Sequence, residues 1–391
     1  MVKRLTSIFV SVFVLTLMGL VFGPPATAAT PIKVGLAYPL TGVFAAQGVP
    51  IVNAIKQAFD EENYTVAGRP IELPIEDSEG KPDVAIIKLR KLIERDRVHL
   101  LHSVLSSAVG YAVRDYVHSQ GVPWVTVAAT SGLTRDKASP YVFRFVPSTF
   151  QWAYAPAKWL KEKQGWQKIV WIGANYAAPR EGFEAVKKVY GENVVEALWP
   201  PLGTLDYAPF LAKVDPNKAN GAALAMWGSD SARITRQYEE YGLKAKLPFF
   251  GMASFTSEEL LSGMPPAIEG VLSSYTYCGS LDTPLNKRFV EGFNARYKTL
   301  PGSYMYMAYM GAKMMIQAIK EVGGKVEDRQ AYLTALARTR VDGPMGSVGF
   351  DERHGMVADF YVLKVVKKDG QLQNECADKI PQVKDPYDLF P

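Results

Sequence analysis

The first part of the chain alternates short apolar runs with longer amphipathic stretches. IKVGLAYPL (32–40) is a run rich in branched residues and of strand length, and after it come apolar positions at helical spacing, Val49, Val52, Ile55, Ala58 and Phe59. IELPIED (71–77) alternates like a strand. Pro82 opens a helix through Val84, Ile87, Leu89 and Ile93, with the proline in the first turn, where its missing donor costs little. VHLLHSVL (98–105), AVGYAVRDYVHSQ (108–120) and GVPWVTVAAT (121–130) read as strand, helix and strand. The rhythm resumes after Phe150, from the helix QWAYAPAKWLKEKQ and the strand KIVWIG through REGFEAVKKVY, NVVEALWP, YAPFLAKV, GAALAMW, SDSARITRQYEEYG, LPFFG and SEELLSG to the strand GVLSSYTY (270–277).

Strands joined by helix-length connections predict parallel sheets covered by helices on both faces. Two such runs, divided near Pro147 to Phe150, predict an α/β protein of two doubly wound lobes. The remainder differs: TPLNKRFVEGFNARYK, YMYMAYMGAKMMIQAIKEV and DRQAYLTALART read as three consecutive helices, followed by MGSVGFDERHG and a last strand, DFYVLKVVKK. Those helices need a sheet to cover, and a return to the first lobe is the economical solution.

The N-terminus reads as a secretory leader: Lys3 and Arg4, an apolar core to about Phe22, then Ala26-Thr27-Ala28 as a small-x-small cleavage site, giving an exported protein cut near Ala28. The alternative is an uncleaved anchor; no later segment is long and apolar enough to span a bilayer. Losing Lys3 and Arg4, with no acidic residue, lowers the formal charge from +5 to +3, too mild to argue for nucleic acid as a partner. Cys278 and Cys376 are either one disulfide or two isolated thiols. No nucleophile elbow, phosphate loop, dinucleotide fingerprint, H-E-x-x-H or C-x-x-C occurs, and the histidines, His99, His102, His118 and His354, lack metal-ligand spacing. The reading is therefore no catalytic residue, no metal and no cofactor.

In an open parallel sheet, ligands bind beyond the carboxyl ends of the strands. In the first lobe these junctions carry Phe44 and Gln47 (AYPLTGVFAAQG), Ser106 and Ser107 (SVLSSAVG), and Ala128 and Thr130 (VTVAATSG). In the second they carry Tyr176, Trp227, Phe255, Tyr275 and Tyr277. Hydroxyls and free amides face aromatic rings, a clamp for a small molecule. On the residues alone, Ser106 and Ser107 either cap the next helix or hold a ligand.

The order IKVGLAYPLTGVFAAQG, VLSSAVG, GVPWVTVAATSGLT, YVFRFVPST, LDYAPFLAKV, LDTPLNKRFVEGF and LPGSYMYMAYMGAKMMIQAI resembles the branched-chain-amino-acid-type periplasmic solute-binding proteins of ABC importers. The resemblance implies the type I periplasmic binding fold, with lobes 29–148 plus 277–355 and 149–276 plus 356–391 joined by three crossings. It implies that Ser107, Ala128 and Thr130 bind a ligand carboxylate, that Gln47 lines the cleft, and that Trp227 holds a ring-bearing position. Ser107 lies among the amides that start a helix, a natural place for a carboxylate; Ser106 is expected to finish the helix. It also implies a membrane permease as partner, and the protein is expected to be a periplasmic monomer.

Two departures bear on the ligand. Amino-acid-binding members carry a Glu after the strand matching LPFFG that pairs with the ligand's ammonium; here GMAS places Ala253 there. A buried ammonium without a partner is costly. Their Tyr-Gly is replaced by Ala178-Pro179, with Tyr176 two residues earlier as a substitute. Glu258 and Glu259 are expected to begin a helix, and YMYMAYM (304–310) to be a core stripe with Tyr306 nearest the cleft. These features point to a carboxylate without an α-amino group, an aromatic acid first and an aliphatic acid or amide second. The alternatives are an amino-acid receptor, a ligand sensor for a signalling receptor and a secreted enzyme on the same scaffold.

Overall fold

The computed structural model describes residues 29–390 of the 391. The leader and cleavage site read at residues 1–28 lie outside the described residues. The chain builds two sheets in turn and then returns to each. The first sheet takes β1 (Ile32–Tyr38), β2 (Thr65–Val66), β3 (Arg69–Glu72), β4 (Ile75–Asp77), β5 (Leu100–His102), β6 (Trp124–Thr126) and β7 (Val142–Arg144). Its order is β2-β3-β1-β5-β6-β7, with β4 extending the edge of β1, and only the β2–β3 pair is antiparallel. All of β1 except Lys33 is buried, as expected of a central parallel strand covered on both faces. Its helices are α1 (Ala45–Asp60), α2 (Pro82–Arg90) and α3 (Ser107–Gln120).

The second sheet is preceded by α4 (Thr149–Lys163). It comprises β8 (Ile169–Gly173), β9 (Val194–Leu198), β10 (Gly221–Ala225), β11 (Phe249–Met252) and β12 (Leu272–Tyr275), connected through α5 (Ala177–Tyr190), α6 (Ala208–Leu211), α7 (Ser229–Glu240) and α8 (Glu258–Leu261). The chain then crosses back. Helices α9 (Pro284–Tyr297), α10 (Ser303–Glu321) and α11 (Arg329–Arg338) follow, and α10 packs on α1 and β6 of the first sheet. His102 fastens this return: burial lowers its pKa to about 4, so the ring is neutral, accepting from the Tyr38 hydroxyl at 2.8 Å and donating to the Ala308 carbonyl at 3.0 Å. A small hairpin, β13 (Arg340–Gly343) and β14 (Gly346–Gly349), precedes β15 (Ala358–Lys368) and β16 (Gln371–Val383), which complete the second sheet as β9-β8-β10-β11-β12-β15-β16. The chain thus passes between the sheets three times, at 145–148, 276–283 and 350–357. No helix among the described residues is long and apolar enough to cross a membrane.

Some strands left no trace in the apolar pattern. The last strand is followed by a thirteen-residue partner, β16, which pairs antiparallel with β15 along its length. It is mostly exposed, so its sequence lacks the apolar alternation that marks a half-buried strand. The short β7 and β13 also lie in segments that carry no periodic signal. Cys278 and Cys376 are bonded, with Cα atoms 6.0 Å apart, tying the second crossing to β16 across 98 residues of sequence.

The first and third crossings meet the chain that follows β16 at a buried polar knot. Ser148 and Gln151 form a reciprocal cap at the start of α4, and the Gln151 amide also donates to the Met356 carbonyl at 3.1 Å and the Val383 carbonyl at 3.0 Å. Arg144, at the end of β7, is fully buried; it donates to Thr134 Oγ1 and Asp385 Oδ2, both at 2.9 Å. Asp385 also pairs with Arg135, whose guanidinium lies 4.9 Å from the Phe150 ring centroid and 4.6 Å from that of Tyr387. One carboxylate therefore separates two buried guanidiniums. Removing one partner of a buried pair leaves an uncompensated charge. We predict that Asp385→Asn lowers unfolding free energy by about 3–5 kcal/mol in urea titrations; a loss below about 1 kcal/mol, the range of an exposed pair, would contradict this reading.

Candidate functional site

The strand ends of both sheets and the starts of α1, α3, α4, α5 and α10 converge on one cavity between the lobes. From the first lobe it is lined by Phe44, Leu105, Ser106, Ser107 and Ala129; from the second by Trp152, Tyr176, Ala178 and Trp227; and Tyr304 reaches it from the start of α10. Its free volume is about 10 Å³, barely one water molecule's room, so its walls stand closed on one another. Two glycines permit the close approach of its walls. A Cβ on Gly48 would stand 1.8 Å from the Pro39 carbonyl oxygen, so a side chain there would displace the first turn of α1 beside Phe44 and Gln47. Gly228, at φ +56°, adopts a backbone that favours glycine, and a Cβ there would meet the Val43 carbonyl oxygen of the opposite lobe at 2.4 Å.

Ser106 and Ser107 stand where the chain turns from β5 into α3. Ser106 is the N-cap residue, with extended backbone (φ −76°, ψ 132°), but its side chain makes no capping bond. This corrects the expectation that its hydroxyl finishes the helix: like Ser107, it lines the cavity. The first-turn amides of α3 have no carbonyl partner within the helix, which leaves donors and a partial positive charge at this wall.

The opposite wall is a chain of rings. Phe44 lies 6.4 Å from Tyr176 across the cleft, Tyr176 lies 5.8 Å from Trp227, and Trp227 lies 5.4 Å from Trp152 in an edge-on contact. Trp152 is fully buried, and its indole Nε1 has no partner among the described residues. Burial raises the phenol pKa of Tyr176 and Tyr304, so both hydroxyls are neutral. Trp152 and Tyr304 were missed in sequence because each sits in a pattern of helical core spacing. The signal that could have found them is position: each lies in the first turn of a helix, Trp152 just past the first crossing and Tyr304 at the start of the helix after α9.

Other expected residues fall elsewhere. The Ala128 amide donates to Thr126 Oγ1 at 3.1 Å and the Thr130 hydroxyl to the Ser107 carbonyl at 3.3 Å; both pack against Gly110 on α3, and Ala129 faces the cavity instead. Gln47 is buried beside the cavity, where its amide donates across the lobes to Ser254 Oγ at 3.3 Å and reaches Glu259 Oε1 at 3.5 Å. Ala253 is buried directly after β11 with φ +51°, outside the lining. Tyr275 backs Tyr304 at 5.7 Å without reaching the cavity. Tyr306 stacks on Tyr277 at 5.3 Å, so Tyr304, not Tyr306, is the residue of this stripe that reaches it.

Glu258 and Glu259 do begin a helix, α8, yet burial outweighs the helix dipole there. Burial, with a smaller contribution from Glu259, raises Glu258 to about 8; burial raises Glu259 to about 7 against its bonds from Ser257 and Gln47. Glu258 Oε1 accepts from the Gly279 amide at 3.4 Å, and Oε2 has no partner among the described residues. Neither carboxyl lines the cavity.

Comparison with known proteins agrees with this architecture. The family model described as periplasmic binding protein matches residues 31–371. A Leu/Ile/Val-binding protein homolog from Brucella melitensis is 27% identical over 355 residues, covering 88% of this chain and 90% of the relative. Among solved structures, an ABC transporter substrate-binding protein from Sphaerobacter thermophilus is 32% identical with a TM-score of 0.84, covering 91% of this chain and 99% of that one. A solute-binding protein of an ABC transporter from Rhodopseudomonas palustris BisB5, in complex with 3,4-dihydroxybenzoic acid, is 28% identical with a TM-score of 0.85, covering 92% and 99%. The chain belongs to the periplasmic binding protein family, as a solute-binding protein of an ABC transporter.

The two raised carboxyls give the protein a pH signature. Each binds a proton in the folded state above the 4.5 at which it ionises when free, so its contribution to stability is complete below pH 4.5 and is lost as pH rises through 7 and 8. His102, lowered from 6.5 to about 4, works in the opposite sense below pH 6.5. The window from pH 6.5 to 8 isolates the carboxyls. We predict that stability falls there by about 1.4 kcal/mol per pH unit for a group still protonated, and that Glu258→Gln removes most of the slope in thermal unfolding. An unchanged slope in that variant would contradict the assignment.

Proposed function

We propose that the cleft takes a small aromatic carboxylate without an α-amino group and presents it, between lobes 29–148 plus 277–355 and 149–276 plus 356–391, to the permease of an ABC importer. The observation that carries this reading is the chemistry of the lining: hydroxyls, an indole N–H and aromatic rings, with no acidic side chain among them. An ammonium would find no counter-ion there, and Ala253 occupies the position after β11 expected to supply one. A carboxylate fits the α3 terminus, where Ser106, Ser107 and the first-turn amides donate. A ring fits against Tyr176, Trp227 and Trp152, and the unpartnered Trp152 N–H suits an oxygen on that ring. The 3,4-dihydroxybenzoic acid in the Rhodopseudomonas palustris neighbour is a ligand of this class. The leader is cleaved near Ala28, and the protein acts as a periplasmic monomer that binds without turnover. A second reading, a branched-chain amino acid, is favoured by the name of the Brucella melitensis relative.

Ligand that binds only the folded state raises its stability by mass action. We predict that benzoate or a hydroxybenzoate gives a larger thermal shift than hexanoate or leucine at equal concentration. If leucine gave the largest shift, the amino-acid reading would replace this one. Ser107→Ala is expected to weaken binding of the preferred acid by about 1–3 kcal/mol in calorimetry, the range for a hydrogen bond to a charged group; an unchanged dissociation constant would remove Ser107 from the site.

A further inference from the structure

Outside the cavity, a second constellation joins the lobes. Glu181, in the second turn of α5, lies across from α3 and from the loop that follows β6. Its Oε1 accepts from the Tyr111 hydroxyl, and the Gly132 amide donates to that same hydroxyl oxygen at 3.2 Å. Its Oε2 accepts from the Thr149 hydroxyl and from the Ser131 amide, the latter at 3.4 Å. Since the Thr149 hydrogen goes to the carboxylate, Thr149 accepts from the Ser131 hydroxyl. Two relays, Gly132 to Tyr111 and Ser131 to Thr149, therefore end on the two oxygens of one carboxylate. Tyr111, Ser131 and Gly132 follow strands of the first sheet; Glu181 belongs to the second; Thr149 stands at the crossing between them.

We infer that Glu181 is the latch that holds the lobes together once the cleft has closed, and that it sets how long a bound ligand stays. The chemistry suits this task. A carboxylate only accepts, and here it faces donors alone, so every member of the cluster is matched while the lobes touch. When they part, Tyr111 and the Ser131 amide lose the carboxylate, and water replaces them. Thr149 and Ser131 are buried, whereas Tyr111 is 36% exposed, so the seam opens to solvent from the Tyr111 side. None of these residues lines the cavity, so the latch acts on closure and not on ligand contacts. Glu181 is a positioning residue in this sense, and the inference rests on binding by cleft closure.

The test is stopped-flow tryptophan fluorescence on the full mature chain, with benzoate and leucine as separate probes. Glu181→Gln places an amide donor against the two relays; Tyr111→Phe removes one donor; Glu184→Gln, an exposed change on the same helix, is the control. The latch forms after encounter, so the expected result is an off-rate about tenfold faster, equivalent to about 1.4 kcal/mol, with the on-rate within about twofold. The Glu181→Gln, Tyr111→Phe double variant should lose less than the product of the single effects, because the two act on one contact. Off-rates within about twofold of wild type, or effects that multiply independently, would overturn the latch. If wild type binds leucine and no aromatic acid, the ligand class fails while the latch is read from the leucine off-rates, so the two failures stay distinct.

Discussion

The structure turns on a guanidinium held in the dry centre of the hinge. Arg144 ends β7, and the first crossing follows it directly. Its backbone amide donates to the His354 carbonyl of the third crossing at 2.9 Å, while its side chain reaches Asp385 beyond the end of β16. Gln151 then fastens the first crossing to Met356 and Val383. The segment 144–151 is thereby fixed by charge and amide geometry to two others, at 354–356 and 383–385, each more than 200 residues along the chain. Buried polar groups of this kind cost heavily if any partner moves away. The junction between the lobes is therefore sharply defined.

From that junction the division of labour in the cleft follows. The first lobe supplies a helix start, α3, with donors and no side-chain cation. The second supplies rings with little polar chemistry beyond one unpartnered indole N–H, that of Trp152, and a neutral hydroxyl. An anion in such a place is neutralised by oriented dipoles and not by an ion pair. Apolar area and ring geometry then carry the rest of the affinity. The buried carboxyls of α8 stand behind this wall, close to protonation at neutral pH, so they add little negative charge to repel an anionic ligand.

Much of this was legible in the order of apolar runs, because parallel strands buried on both faces and amphipathic helices leave strong periodic traces. The return of the chain to the first lobe followed from the need of three consecutive helices for a sheet to cover. β16 was not legible, since an exposed edge strand needs no apolar alternation. At the site, Phe44, Ser107, Tyr176 and Trp227 could be placed because each falls at or just beyond a strand end. Ala128 and Thr130 flank Ala129, the residue of that loop that lines the cavity, since successive side chains of an extended chain point to opposite faces. Ser106 was misread for a subtler reason: the N-cap position predicts a backbone, and whether the hydroxyl bonds to it depends on what lies opposite. Trp152 and Tyr304 were hidden because a helix start that faces a cleft has the same spacing as one that faces a core.

The most direct test of the account is the orientation of a bound acid. A crystal structure with 4-bromobenzoate, its bromine located by anomalous scattering, would show this without ambiguity. The account predicts the carboxylate within about 3 Å of Ser107 Oγ and the first amides of α3, with the bromine against Trp152 and Trp227. Bromine at the α3 terminus, with the carboxylate turned toward Gln47 and Glu259, would contradict it.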